Sequence, residues 1–110
     1  SNNSKIKLLN VPKNIIDNYG AVSNKTASYM VKGLFKLTNS DICVGITGIA
    51  GPNGGTTLKP VGLVYHSFFL KKNKKTIVVK KNYKGSRNII RKNASLFTIN
   101  QLYNLLNSVI

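Results

Sequence analysis

Glutamate is absent from this chain, and aspartate occurs only as Asp17 and Asp41. A glycosidase pair or a two-metal centre needs at least two convergent carboxylates with supporting ligands. These two lie in different segments, so neither chemistry is expected and no metal site is expected either. His66 is the sole histidine, set between Tyr65 and Ser67 in an apolar run. It assembles no Ser-His-Asp set and reads as a packed strand residue rather than a base or ligand. Cys43, the lone cysteine, has no partner within the chain. Between Ile42 and Val44 it reads as a small buried residue of a reduced, intracellular protein. No apolar run approaches the ~20 residues of a membrane span, and nothing resembles a signal peptide. The expectation is a cytoplasmic protein with no membrane partner.

What is present in excess is positive charge: seventeen basic residues against two acidic ones, for a formal net charge of +15. Such a balance ordinarily points to nucleic acid. Yet fifteen of the seventeen are Lys, and nucleic-acid recognition favours the bidentate Arg fork. Asn is equally inflated at fifteen, as in an A/T-rich coding sequence, and the lysines run from Lys5 to Lys92. A solvated bias is the better reading, and nucleic acid is not the expected partner.

At 110 residues the chain is one domain. Ile6, Leu8 and Leu9 in "SNNSKIKLLN" suggest a short helix already under way, so the chain looks like a fragment. "VPKNIIDNYG" reads as a second helix, with Pro12 at its start and Gly20 past its end. A third begins at a Ser23 cap, with Ala27, Met30, Val31, Leu34 and Leu37 on one stripe and Met30 and Phe35 as core. "DICVGITG" is a continuous apolar run, as in a buried central strand. Two strand-like runs, "GLVYHSFFLKK" and "KTIVVKKNY", form a hairpin whose tip lysines sit in water. The last segment places residues 89, 90, 94, 97, 102, 105, 106 and 109 on one stripe, an amphipathic helix packed across the sheet. The fold class is therefore α/β, a mixed sheet covered by helices, in the order α-α-α-β-β-β-α.

Between the first strand and the hairpin lies "ITGIAGPNGGTTLKPVG", Ile46 to Gly62. It fits neither G-x-G-x-x-G nor G-x-x-x-x-G-K-[ST], because Lys59 follows no glycine at the required offset. What remains is a strand end at Thr47 and Gly48, followed by bare backbone at Gly51, Gly54 and Gly55. Bare N–H groups there can approach an anionic or planar ligand at the carboxyl end of a strand. A structural crossover loop explains the same residues equally well. The segment "YKGSRNIIRK" holds both arginines, Arg87 and Arg91, spaced i and i+4. Arg87 falls in the first helical turn, where a cation opposes the dipole unless an anion is shared with the helix end. A solvated Arg pair is the other reading.

"GAVS", "TGIAGPNGGTTLKPVG" and "GSRNIIR", in that order, resemble the C-terminal domain of the CinA (competence/damage-inducible protein) family over essentially the whole chain. The resemblance implies a compact α/β domain, a homodimer and no cofactor. Members include nicotinamide-nucleotide amidases, which hydrolyse the carboxamide of nicotinamide mononucleotide to nicotinate mononucleotide and ammonia. The family's catalytic serine lies in an E-S-C-T-G-G motif, followed by a Y-S-N-x-x-K motif. The opening "SNNSK" puts Lys5 on the catalytic lysine, with the tyrosine just before Ser1 and the serine motif missing with the first third of the domain. Thr47 falls on the family's substrate-contacting threonine or serine, with Gly48 and Gly51 beside it, and Arg87 falls on the arginine of its G-D-R motif. Ser86 stands where the family has Asp, and Lys25 where it often has Glu. The implied mechanism is attack by the serine, deprotonated by a neutral lysine, with backbone N–H groups holding the oxyanion. A fragment without the serine is expected to be inactive. A degenerate, non-catalytic binding or structural module is the alternative function, and nucleic-acid binding through the Lys71 to Lys84 hairpin is a weaker one.

Overall fold

The computed structural model describes residues 11–109 of the chain. The elements run α1 (Lys13–Tyr19), α2 (Asn24–Thr38), β1 (Ile42–Gly48), β2 (Leu63–Leu70), β3 (Lys75–Asn82) and α3 (Arg87–Val109). The helix expected around Ile6 to Leu9 lies outside the described residues.

Local chemistry sets most boundaries. Pro12 precedes α1, where its missing N–H costs nothing, and the Gly20 N–H closes the helix on the Ile16 carbonyl. Ser23 caps α2 by accepting from the Thr26 N–H at 3.1 Å. Asn39 ends the same helix in the left-handed region, φ 52°, with its N–H on the Phe35 carbonyl. The β2–β3 turn spans residues 71–74, again with a left-handed residue, Lys74 at φ 56°. Lys74 is not simply solvated: its ammonium lies 4.7 Å from the Phe35 ring centroid on α2.

The described strands form one sheet in the order β1-β2-β3, antiparallel at both seams, with none of the parallel pairing of a mixed sheet. The central strand is β2, not β1. β2 is buried along nearly its whole length, whereas β1 leaves Ile46 42% exposed. The apolar run of β1 suggested cover on both faces. Within the described sheet that cover reaches only the face turned to α2.

Strand alternation assigns the two faces. Cys43, Gly45 and Thr47 share a face with their partners Phe69, Ser67 and Tyr65. Against it pack Val31, Leu34 and Phe35 of α2, with the Phe35 and Phe69 rings 4.7 Å apart. Val11, Ile15 and Ile16 pack beside Tyr29 and Met30 of α2. Met30 and Phe35 are thus core, as expected, while Leu37, assigned to the same stripe, is 63% exposed.

The opposite face carries Val64, His66 and Phe68 against α3, where Ile90, Ala94 and Thr98 are buried. The residues expected on one α3 stripe divide here. Ile90 and Ala94 are buried, but Ile89 and Leu106 are exposed, as are Leu96, Ile99 and Tyr103. The helix is apolar on two sides, and the sheet meets one. The result is a three-layer arrangement, α1 and α2 on one face and α3 on the other. No helix among the described residues is long and apolar enough to cross a membrane.

Candidate functional site

The glycine-rich loop leaves β1 at Gly48 and returns at β2. Ile49 N–H donates to the Leu63 carbonyl at 2.9 Å, and Gly62 N–H donates back to the Ile49 carbonyl at 2.6 Å. Two glycines have positional reasons to be glycine. A Cβ at Gly48 would lie 2.7 Å from Val64 Cγ2 and 2.9 Å from the Leu63 carbonyl oxygen. Gly51 sits at φ 82°, and a Cβ there would meet Val61 Cγ1 at 2.5 Å.

Side chains then strap this loop to its neighbours. Three consecutive carbonyls of the α1–α2 turn each accept from a different part of the chain. The Tyr19 carbonyl takes Lys59 Nζ at 2.5 Å, the Gly20 carbonyl takes Thr26 Oγ1 at 2.6 Å, and the Ala21 carbonyl takes Thr47 Oγ1 at 2.7 Å. From the other side, Arg87 Nη1 donates to the Gly51 carbonyl at 3.0 Å. The segments "GAVS", "TGIAG", the loop lysine and "GSR" are therefore one hydrogen-bonded frame around the turn after β1.

Within that frame a cleft of about 240 Å³ opens between the carboxyl end of β1 and the first half of α3. Ile46, Gly48, Ala50 and Val64 line one side, and Ile90, Arg91, Ala94 and Ser95 the other. Its walls are aliphatic, with the Ser95 hydroxyl and one charge, the Arg91 guanidinium.

The sequence-derived site residues do not converge on this cleft as a group. Gly48 lines it. Thr47 is its neighbour along the strand and so points to the other face, where it is 6% exposed and bonded to the α1–α2 turn. Its hydroxyl proton is committed there, leaving it able to accept only. Gly51 is buried and offers its carbonyl to Arg87, which braces the loop with the group expected to meet an anion. Lys5 lies outside the described residues. Sequence reasoning passed over Lys59, whose one visible signal was being the only cation in the glycine-rich stretch. It also gave Arg91 no site role, since the i, i+4 pair by itself does not say which member faces a cavity.

Next to the cleft, on the same sheet face, is a buried polar chain. Thr98 Oγ1 donates to the Ala94 carbonyl at 3.0 Å. With that proton committed, His66 Nδ1–H donates to Thr98 Oγ1 at 2.8 Å, and the bare Nε2 accepts from the Tyr83 hydroxyl at 2.9 Å. Burial, with Lys81 second, pushes the imidazole down to about 4, and burial pushes the Tyr83 phenol up. The neutral ring ties β2, the segment before α3 and α3 itself together.

Comparison with known proteins places this geometry. The family model described as "CinA C-terminal domain" matches residues 1–106. A CinA-like protein of Kosmotoga olearia is 48% identical over 99 residues, 90% of this chain and 24% of the relative. Another, from Endomicrobium trichonymphae, is 48% identical over 106 residues, 96% of this chain and 23% of the relative. The crystal structure of competence/damage inducible protein CihA from Agrobacterium tumefaciens superposes with a TM-score of 0.90 at 32% identity. It covers 96% of this chain and 64% of that one. The chain thus spans about a quarter of the length of these curated relatives and under two thirds of the solved one. Sequence motifs, layer order and superposition agree: the chain belongs to the CinA family, as its C-terminal domain.

Proposed function

We propose that this domain is the substrate-binding part of a nicotinamide-nucleotide amidase. Supporting the reading is a cleft at the carboxyl end of β1, aliphatic along its walls with one guanidinium in it. Such a surface suits a small ligand with an uncharged planar ring at one end and a phosphate at the other. The strand end, glycine loop and α3 supply position. The bond-breaking groups are a serine from an E-S-C-T-G-G motif, absent from these 110 residues, and Lys5.

In this scheme the serine Oγ attacks the carboxamide carbon while its proton passes to the neutral Lys5 amine. Backbone N–H groups hold the oxyanion, and collapse expels ammonia with a proton returned from the lysine. Water then hydrolyses the ester to nicotinate mononucleotide. The lysine acts as a base only where burial or neighbouring positive charge holds its amine neutral. The resemblance also leads us to propose a homodimer, for which sedimentation equilibrium should return twice the 12.1 kDa chain mass.

The test joins the 110 residues to an upstream segment bearing the serine and tyrosine motifs of a solved relative. Ammonia release from nicotinamide mononucleotide is expected, with loss of turnover in Lys5→Ala and none from the 110 residues alone. Turnover by the 110 residues, or unchanged turnover in Lys5→Ala, refutes the assignment. A second reading, a degenerate module without catalysis, draws on the internal engagement of Thr47 and Arg87. It requires the joined chain to bind the nucleotide and release no ammonia.

A further inference from the structure

Arg87 and Arg91 are the chain's only guanidinium groups, one helical turn apart, and their surroundings differ. Arg87 places one N–H of its Nη1 on the Gly51 carbonyl. Arg91 instead lines the cleft, with Ser95 at i+4 on the same side of α3 and Gly48 across from it.

Among the described residues no carboxylate is paired with Arg91. The chain has two carboxylate side chains: Asp17 is paired with Lys13 at 2.9 Å on α1, and Asp41 lies just before β1, at the opposite end of that strand from Gly48. Six or seven residues of extended strand separate Asp41 from the cleft, about 20 Å. A guanidinium beside aliphatic walls, in a molecule of net charge +15, is a strong attractor for an anion, and the described residues supply none beside it.

We propose that Arg91 is the phosphate-binding residue of the cleft, taking a phosphate monoester on a small organic body, with the Ser95 hydroxyl as second donor and Arg87 as a positioning residue for the loop. The proposal rests on reading the cleft as the ligand site, and it is independent of hydrolysis. The guanidinium fork meets two phosphate oxygens, while Ile46, Val64 and Ile90 accommodate the uncharged end.

The experiment is isothermal titration of the full 110-residue chain with nicotinamide mononucleotide, nicotinamide riboside, ribose 5-phosphate and inorganic phosphate. The wild type should bind the mononucleotide more tightly than the riboside. Arg91→Ala should weaken the mononucleotide roughly tenfold to a hundredfold and leave the riboside unchanged, as expected of a charge-assisted contact. Arg91→Lys should recover part of the loss. Because Arg91 is exposed, the thermal midpoint of both variants should stay near wild type, which shows that they fold. Arg87→Ala should weaken mononucleotide and riboside by the same factor and lower the midpoint.

Mononucleotide binding within twofold of wild type in Arg91→Ala overturns the proposal and leaves the nucleotide reading standing. So does an equal loss for mononucleotide and riboside. Arg91-dependent binding of ribose 5-phosphate or inorganic phosphate, with no gain from the nicotinamide, upholds Arg91 and sinks the nicotinamide reading. No binding of any probe by the wild type overturns both.

Discussion

At the scale of single residues, His66 is the clearest case of a side chain whose role follows from its partners. Its neutral ring satisfies Thr98 and Tyr83 at once, and protonation would set a second N–H against a hydroxyl that already donates. The folded pKa of about 4 lies below the ordinary 6.5, so the unfolded chain takes up a proton first as pH falls. The stability this neutral histidine contributes is full above about pH 6.5 and drains away towards pH 4, up to about 3 kcal/mol. Urea midpoints measured across that window should fall for the wild type and fall less for His66→Gln. Parallel slopes in the two proteins would remove His66 as the cause. Gly51→Ala is a second test at this scale: a left-handed φ and the Val61 methyl both oppose a Cβ. A loss of about 1–3 kcal/mol is expected in chemical unfolding.

Among elements, the glycine loop is held by bonds reaching far along the chain. Thr47 bridges 26 residues to Ala21, Arg87 36 residues to Gly51, and Lys59 40 residues to Tyr19. Thr47→Val leaves the half-buried Ala21 carbonyl without this donor at nearly unchanged volume, and should cost about 1–2 kcal/mol. It should also speed hydrogen exchange at the Thr56 and Gly62 amides, which close the loop internally. Unaltered exchange there would separate Thr47 from loop geometry. The helix boundaries were legible because their causes are local: Pro12, Gly20 and Ser23 act within one turn. The position of β1 was not. A run such as "ICVGITG" looks the same at the centre or the edge of a sheet, and the neighbour on each side is supplied by distant chain. The candidate cleft was half legible. The loop and α3 were both picked out, but Thr47 and Gly48 were pooled although consecutive strand residues face opposite ways.

Over the whole molecule, charge and apolar surface set the expectations. Fifteen unbalanced positive charges repel one another in the compact state. Raising sodium chloride from about 10 mM to about 150 mM shortens the screening length from about 30 Å to about 8 Å. The thermal midpoint should rise over that range, and a flat or falling midpoint would show that the lysines are spaced widely enough not to interact. On α3, Leu96, Ile99 and Tyr103 are 49%, 61% and 66% exposed, so they contribute little to the fold as described. Ile99→Lys should change unfolding free energy by no more than about 0.5 kcal/mol, whereas Ile90→Ala, 2% exposed, should cost about 2–5 kcal/mol. A large loss from Ile99→Lys would mean that this face is covered in solution.

The sequence by itself determined what depends on near neighbours and on composition. It set the helix caps, the hairpin, the α/β order, the family motifs and the exclusion of chemistries that need several carboxylates. Tertiary structure alone decided which strand is central, which side of α3 meets the sheet, and which arginine reaches the Gly51 carbonyl and which lines the cleft. The physical reason is that a cap is completed within a few residues, but a cleft is formed by groups such as Gly48 and Arg91. These are 43 positions apart in sequence, and only the packing of α3 across the end of β1 brings them to facing walls.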